Sequence, residues 1–215
     1  MPTTSLELES YPIQARAWPK SGRTILAQHT EQAVVVYQAY RASIARFAIE
    51  HGRLGGDFKL GRMTWIKPSF LWMMSRSRWG RAESQEHVLA IRLRREAFDG
   101  LLEVAVPSSF DAALYATEED WKEAVARSDV RMQWDPDHTP SGRKCDRRAI
   151  QIGLRGEAAR RYANEWIVAI EDISGFVADQ RVHAELGDHA SLLTPVERPY
   201  AVSAELARRL GMSPR

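Results

Sequence analysis

Pro68 divides the stretch Arg62–Trp79, RMTWIKPSFLWMMSRSRW, into two elements. Proline lacks a backbone N–H, so it fits the first turn of a helix and not its interior. The short apolar run Met63–Ile66 therefore reads as a strand, followed by a helix from Pro68 to about Arg78. The seven-residue spacing of Trp65, Trp72 and Trp79 imitates a heptad, but the proline separates the first tryptophan from the other two. Widened to Lys59–Arg81, the stretch carries six basic residues, Lys59, Arg62, Lys67, Arg76, Arg78 and Arg81, and no acidic one. The whole chain has a formal charge of only +2, so this positive density is local. Aromatic rings interleaved with cations suit a ligand offering flat rings and phosphates, such as a nucleotide or a nucleic-acid strand. They also suit a core helix whose charged side chains reach into solvent.

Periodicity assigns the other elements. Ala33–Tyr40, AVVVYQAY, is β-branched and aromatic and reads as a buried strand. Ile44, Phe47 and Ala48 then fall on one helical face, and Gly52 stops a helix over Arg41–His51. Arg53–Gly61 is a glycine-rich loop. His87–Leu93 alternates, with Leu89, Ile91 and Leu93 on one face and Arg92 and Arg94 on the other, which predicts a strand with one wet side. Glu96–Val104 reads as helix, and Thr117 with Asp120 resembles a capping box opening another. Val130–Trp134 is a short strand, Asp135–Asp146 a loop and Arg148–Leu154 a strand. Gly156–Asn164 reads as helix, Trp166–Ile173 as strand, and a polar helix runs on to about Leu186. A last short helix covers Ala204–Gly211.

The strands and helices lack the regular alternation of a parallel sheet, so the expected class is α+β. The expected organisation is an N-terminal arm over 1–32, a single catalytic-type α+β domain over 33–186 and a C-terminal tail over 187–215. Cys145 is the only cysteine, so an intrachain disulfide is excluded and a reducing compartment is expected. No histidine adjoins it as a base, and it reads as a passive thiol. MPTTSLELES has no apolar core, and no apolar run approaches the roughly 20 residues needed to span a bilayer. The expectation is a soluble cytoplasmic protein without a membrane partner.

The six histidines are scattered and match no zinc pattern, so no metal is expected. Asp135, Asp137 and His138 read as solvated loop charges. Walker, dinucleotide GxGxxG and GxSxG motifs are absent. What remains is a set of polar residues on strands: Gln38 and Tyr40 on the first, Thr64 and Trp65 on the second with Lys67 and Ser69 after it, and Arg148 and Gln151 on the late one.

The segments VYQAY (36–40), RMTWIKPSFLWMM (62–74), Gln85–Glu86 ahead of VLAIRL (88–93), QWDP (133–136), RAIQIGL (148–154) and EWIVAIED (165–172) resemble a widespread family of small microbial proteins known only as a domain of unknown function. More distantly, the order of elements resembles the ADP-ribosyltransferase superfamily. That resemblance implies a split, mainly antiparallel sheet with flanking helices, and NAD bound in the split as substrate. It also implies transfer of ADP-ribose with loss of nicotinamide, with a nucleic acid or nucleotide as acceptor. It would give Gln38, Gln151 and Arg148 the catalytic roles. Tyr40, Trp65 and Trp72 would meet the nicotinamide and Lys59, Arg62, Lys67 and Arg76 the pyrophosphate, with Thr64 and Ser69 beside them. Many members carry a glutamate on the late strand, where this chain has Gln151. RNA 2′-phosphotransferases use arginine-rich sites instead, a variant that Arg148 and Arg76 would fit. The alternative is a non-catalytic nucleic-acid or nucleotide-binding module built on segment 59–81.

Overall fold

The computed structural model describes residues 4–214. It begins with β1 (Leu8–Ser10), α1 (Tyr11–Ala17), β2 (Gly22–Arg23) and β3 (Leu26–Ala27). Then come β4 (Ala33–Tyr40), α2 (Ala42–His51), β5 (Thr64–Ile66), α3 (Phe70–Ser77), β6 (His87–Arg94) and α4 (Arg95–Val104). The middle of the chain forms β7 (Val106–Pro107), α5 (Glu118–Arg127), β8 (Val130–His138) and β9 (Lys144–Leu154). Next is α6 (Gly156–Arg161), which passes into a π-helical turn over Tyr162–Trp166. The chain ends with β10 (Ile167–Asp172), α7 (Ser174–Leu186), β11 (Leu193–Pro195), β12 (Arg198–Pro199) and α8 (Ala204–Arg209). The fold is a single-domain α+β arrangement.

Two sheets form its centre. One is antiparallel, in the order β10–β6–β4. In the other, β9 carries β8 on one side and both β2 and β5 on the other, and β7 lies beyond β8. The sheets meet through one bridge, where Tyr37 N donates to Lys67 O at 2.7 Å and Lys67 N to Tyr37 O at 3.3 Å. Beyond it β4 and β5 diverge.

The β10–β6–β4 sheet is buried on both faces. Val34, Val36, Leu89, Ile91 and Leu93 pack with Met132, Ile150 and Ile152 of the second sheet. Val35, Tyr37, Val88 and Ala90 pack with Phe70 and Met73 of α3 and Phe176 and Val177 of α7. The expected wet side of His87–Leu93 is thus corrected: Val88 and Ala90 share that face with Arg92, and α3 and α7 cover it. Fully burying one such valine is worth about 1.5–3 kcal/mol, enough to favour the covered arrangement.

The terminal segments differ from a peripheral arm and tail. Among residues 4–32, Leu6, Trp18, Ile25 and Leu26 are buried, and β1 pairs with β11 and β3 with β12. Trp18 Nε1 donates to Glu197 O at 2.9 Å, and Gln14 Nε2 to Thr194 Oγ1 at 2.8 Å. These bonds join chain segments about 180 residues apart.

The loop expected over Asp135–Asp146 is also corrected. Strand β8 runs on to His138 and β9 starts at Lys144, so most of it is a hairpin. Pro136 is tolerated because β7 pairs only with Arg131 and Met132, which leaves the edge beside the proline free. Asp137 is not a solvated loop charge: it is 1% exposed and pairs with buried Arg147 at 2.6 Å. No described helix is long and apolar enough to cross a membrane.

Candidate functional site

Where β4 and β5 diverge, the chain forms a cleft of about 360 Å³ lined by Tyr40, Arg41, Ile44, Asp57, Phe58, Lys59, Arg62, Met63, Thr64 and Ser84. Helix α2 follows β4 and stops at Gly52, whose φ of 63° is the left-handed conformation glycine adopts freely. The following loop is pinned by buried Leu54, whose N–H donates to Ala163 O at 3.1 Å. It then returns along the cleft with Asp57, Phe58, Lys59 and Arg62. Arg41 pairs with Asp57 at 3.0 Å. Lys59 and Arg62 are exposed and have no carboxylate partner among the described residues, so the cleft keeps a net positive wall.

Behind the cleft lies a chain of polar groups. Tyr162 OH donates to Gln38 Oε1 at 2.6 Å. Gln38 Nε2 donates to Thr64 Oγ1 at 2.7 Å and to Trp65 O at 3.1 Å. Tyr40 OH lies 3.4 Å from Thr64 Oγ1. Burial pushes the phenols of Tyr40 and Tyr162 above their usual range, so both remain donors at neutral pH. Gln38 is 4% exposed and both its amide hydrogens are engaged by protein. It ties β5 to β4 and does not face the cleft.

A second polar surface covers the adjoining face of β5, β9 and β8. Trp65 lies across Gly153, where an added Cβ would stand 2.8 Å from Met63 Sδ and 3.0 Å from the Trp65 ring. Beside it, Gln151 Nε2 donates to Asp135 Oδ2 at 2.7 Å and Gln133 Nε2 to Asp135 Oδ1 at 2.8 Å. Lys67 is 6% exposed; its Nζ donates to Trp65 O at 3.2 Å and stands 4.9 Å from the Trp72 ring centre. Burial lowers the Lys67 amine to about 7, helped by the Arg76 charge and opposed by Asp135.

Tyr40, Lys59, Arg62 and Thr64 are thus brought together on the cleft. Trp65, Lys67, Trp72, Arg76 and Gln151 belong to the adjoining face, but two of them differ from expectation. Lys67 is a buried amine whose pKa burial lowers to about 7, not a solvated phosphate clamp. Trp72 is 8% exposed, so its ring is not offered for stacking; its Nε1 is buried without a partner. Ser69 is 2% exposed and donates to Asp137 Oδ1 at 3.4 Å, outside the cleft. Arg148 donates to Trp134 O at 3.3 Å. It projects to the opposite face of β9 from Gln151, three residues on. Gln38, Arg148 and Gln151 are therefore not gathered at one point.

Asp135, read from the sequence as a solvated loop charge, is held by two glutamine side chains, and the sequence assigns no site role to Gln133, Arg41 or Asp57. Gln133 and Asp135 are two residues apart, the signal of a shared strand face, but ending the strand at Trp134 hid it. Among the described residues no group of three or more His, Cys, Asp or Glu is placed to hold a metal ion. No curated protein matches the sequence. A family model described as "Domain of unknown function (DUF4291)" matches residues 24–200, so the chain belongs to that family.

Proposed function

We propose that the cleft between β4 and β5 binds NAD and that the protein transfers its ADP-ribosyl group to a nucleic acid or nucleotide. The observation that carries this reading is the meeting of Arg41, Lys59 and Arg62 with Tyr40 and Phe58 where the two sheets part. Cations there would take the pyrophosphate and the rings a flat base or nicotinamide. In the transfer, the bond from ribose C1 to nicotinamide breaks and its electron pair leaves with the ring. The acceptor then bonds to C1 and releases its proton. Tyr162, Gln38 and Thr64 act as positioning residues that hold Trp65 and the cleft wall. Asp135, fixed by Gln133 and Gln151, is a carboxylate on the strand beside Gln151.

The test is calorimetric titration with NAD, alongside chromatographic detection of nicotinamide in the presence of single-stranded RNA or DNA. NAD binding weakened about tenfold or more by Arg62→Ala or Lys59→Ala is expected, the loss of one charged hydrogen bond. Absence of both heat and nicotinamide release rejects the reading.

One observation favours a second reading, a non-catalytic nucleic-acid module. Of the six cations in Lys59–Arg81, five, all but Lys67, are exposed. Such binding would weaken with salt by roughly one log–log unit per phosphate neutralised. Salt-insensitive binding would argue against it.

A further inference from the structure

We propose that Asp57 competes with the ligand for the anion site of the cleft: it holds Arg41 until the second phosphate of a diphosphate displaces it. This rests on the cleft's holding a pyrophosphate, as proposed for NAD. Of the ten residues lining the cleft, three are cations, Arg41, Lys59 and Arg62, and Asp57 alone is a carboxylate. That carboxylate sits on Arg41 at 3.0 Å and leaves Lys59 and Arg62 to the ligand. A single phosphate carries about −1.5 to −2 charge at pH 7, which two cations match. A second phosphate calls on the third cation and meets Asp57 there.

The ion pair is not needed to fasten the loop that carries Asp57. Leu54 is buried and bonded to Ala163 O, and Gly55 lies so close to the Phe47 ring of α2 that no Cβ fits between them. On the other side, Phe58 N donates to Gly55 O at 3.0 Å, and the Phe58 ring packs edge-on to Tyr40 with 6.1 Å between centres. The chain is thus anchored before and after Asp57 without Arg41. A pair kept for stability would also be buried, whereas the Arg41 and Asp57 side chains are 51% and 55% exposed. Exposed pairs contribute little to stability.

The contact is also one-pointed: only Arg41 Nη2 meets Asp57, through Oδ2. A guanidinium offers five N–H donors in a planar fork that takes two phosphate oxygens at once. A phosphate on Arg41 therefore makes the second bond that Asp57 leaves unmade, and Asp57 passes into water from a place where it is already half solvated. When the ligand leaves, Asp57 returns to Arg41. Its presence lowers diphosphate affinity by the strength of this one pair and hardly touches a monophosphate held by Lys59 and Arg62.

The experiment titrates the full chain calorimetrically with inorganic pyrophosphate and with orthophosphate, at low salt where exposed charges are least screened. Wild type, Asp57→Asn, Arg41→Ala and the double variant are compared, each shown to be folded by circular dichroism. Asp57→Asn is expected to tighten pyrophosphate binding by about two- to fivefold, the worth of one exposed ion pair, and orthophosphate binding much less. In the Arg41→Ala background the same substitution should give no gain, because the contested cation is gone. The proposal is overturned if Asp57→Asn leaves pyrophosphate affinity unchanged. It is also overturned if the gain is as large without Arg41, or as large for orthophosphate, since both would mean general repulsion by Asp57. The expected pattern in a protein that neither binds NAD nor releases nicotinamide rejects the NAD reading and keeps this one. NAD binding without the Asp57 effect rejects only this one.

Discussion

Tyr162 and Gln38, 124 residues apart in sequence, share a buried hydrogen bond of 2.6 Å that fastens the π-helical turn to β4. The expected helix Gly156–Asn164 ends its α-helical part at Arg161, and the wider turn that follows carries Tyr162 inward. Tyr162→Phe removes the donor and leaves Gln38 Oε1 buried without it. A loss of about 1–3 kcal/mol is expected in denaturant unfolding. A smaller change would mean that a water replaces the hydroxyl.

Lys67 makes stability depend on pH. Its folded-state pKa of about 7 lies below the ordinary value of 10.5. Between those limits the unfolded chain binds the proton that the folded chain has lost. Stability therefore rises with pH from about 7 upward, by up to about 1.4 kcal/mol per unit. Below pH 7 the cost of burying the charge is fully present. Lys67→Met should abolish the rise, so the difference between the two proteins, measured from pH 6 to 9, should shrink as pH increases.

Glu197 has the opposite sign. It is 2% exposed, its Oε1 accepts the Phe70 N–H at 2.6 Å, and burial raises its pKa well above the usual carboxylate range. The folded chain holds this proton where the unfolded chain has released it. Stability from this group is thus complete below the unfolded value of roughly 4.3 and declines as pH rises above it. Glu197→Gln keeps an acceptor for Phe70 without the titration. Its stability relative to wild type should improve steadily from pH 4 to pH 8 in thermal unfolding. A constant difference would show that Glu197 ionises normally.

Gly153→Ala tests the packing of Trp65 on β9. The added methyl would meet Met63 Sδ at 2.8 Å, which the flexible methionine can relieve by moving, and the indole at 3.0 Å, tight enough that the ring must give way by a few tenths of an ångström. Overpacking of this kind costs about 1–3 kcal/mol. The displaced indole should also change the tryptophan fluorescence of the folded protein. Wild-type stability and spectrum together would mean that Trp65 does not rest there in solution.

Periodicity in the sequence was sufficient for the main elements. Ala33–Tyr40 is a strand over the expected residues, Gly52 ends α2, and Pro68 separates β5 from α3. These are local properties: side-chain branching, glycine at positive φ and a missing N–H act within a few residues. The basic and aromatic character of Lys59–Arg81 was equally legible. Which of its members face solvent was not. Arg62 lies on the open wall of the cleft, while Lys67, five residues later, is sealed between Trp65, Trp72 and the second sheet.

Lys67 is held against β4 by its bridge to Tyr37, thirty residues away, and Asp135 is captured by Gln151 of the neighbouring strand as well as by Gln133 of its own. Pattern reading stops at the edge of an element, whereas desolvation and hydrogen-bond partners depend on whatever the fold stacks above it. The sequence by itself determined the strands, helices and breaks and the local charge of segment 59–81. Only the tertiary structure decided that Gln38 is a strut, that Trp72 is core and that Lys67 is a buried amine, because each outcome depends on groups that other segments bring within a few ångströms.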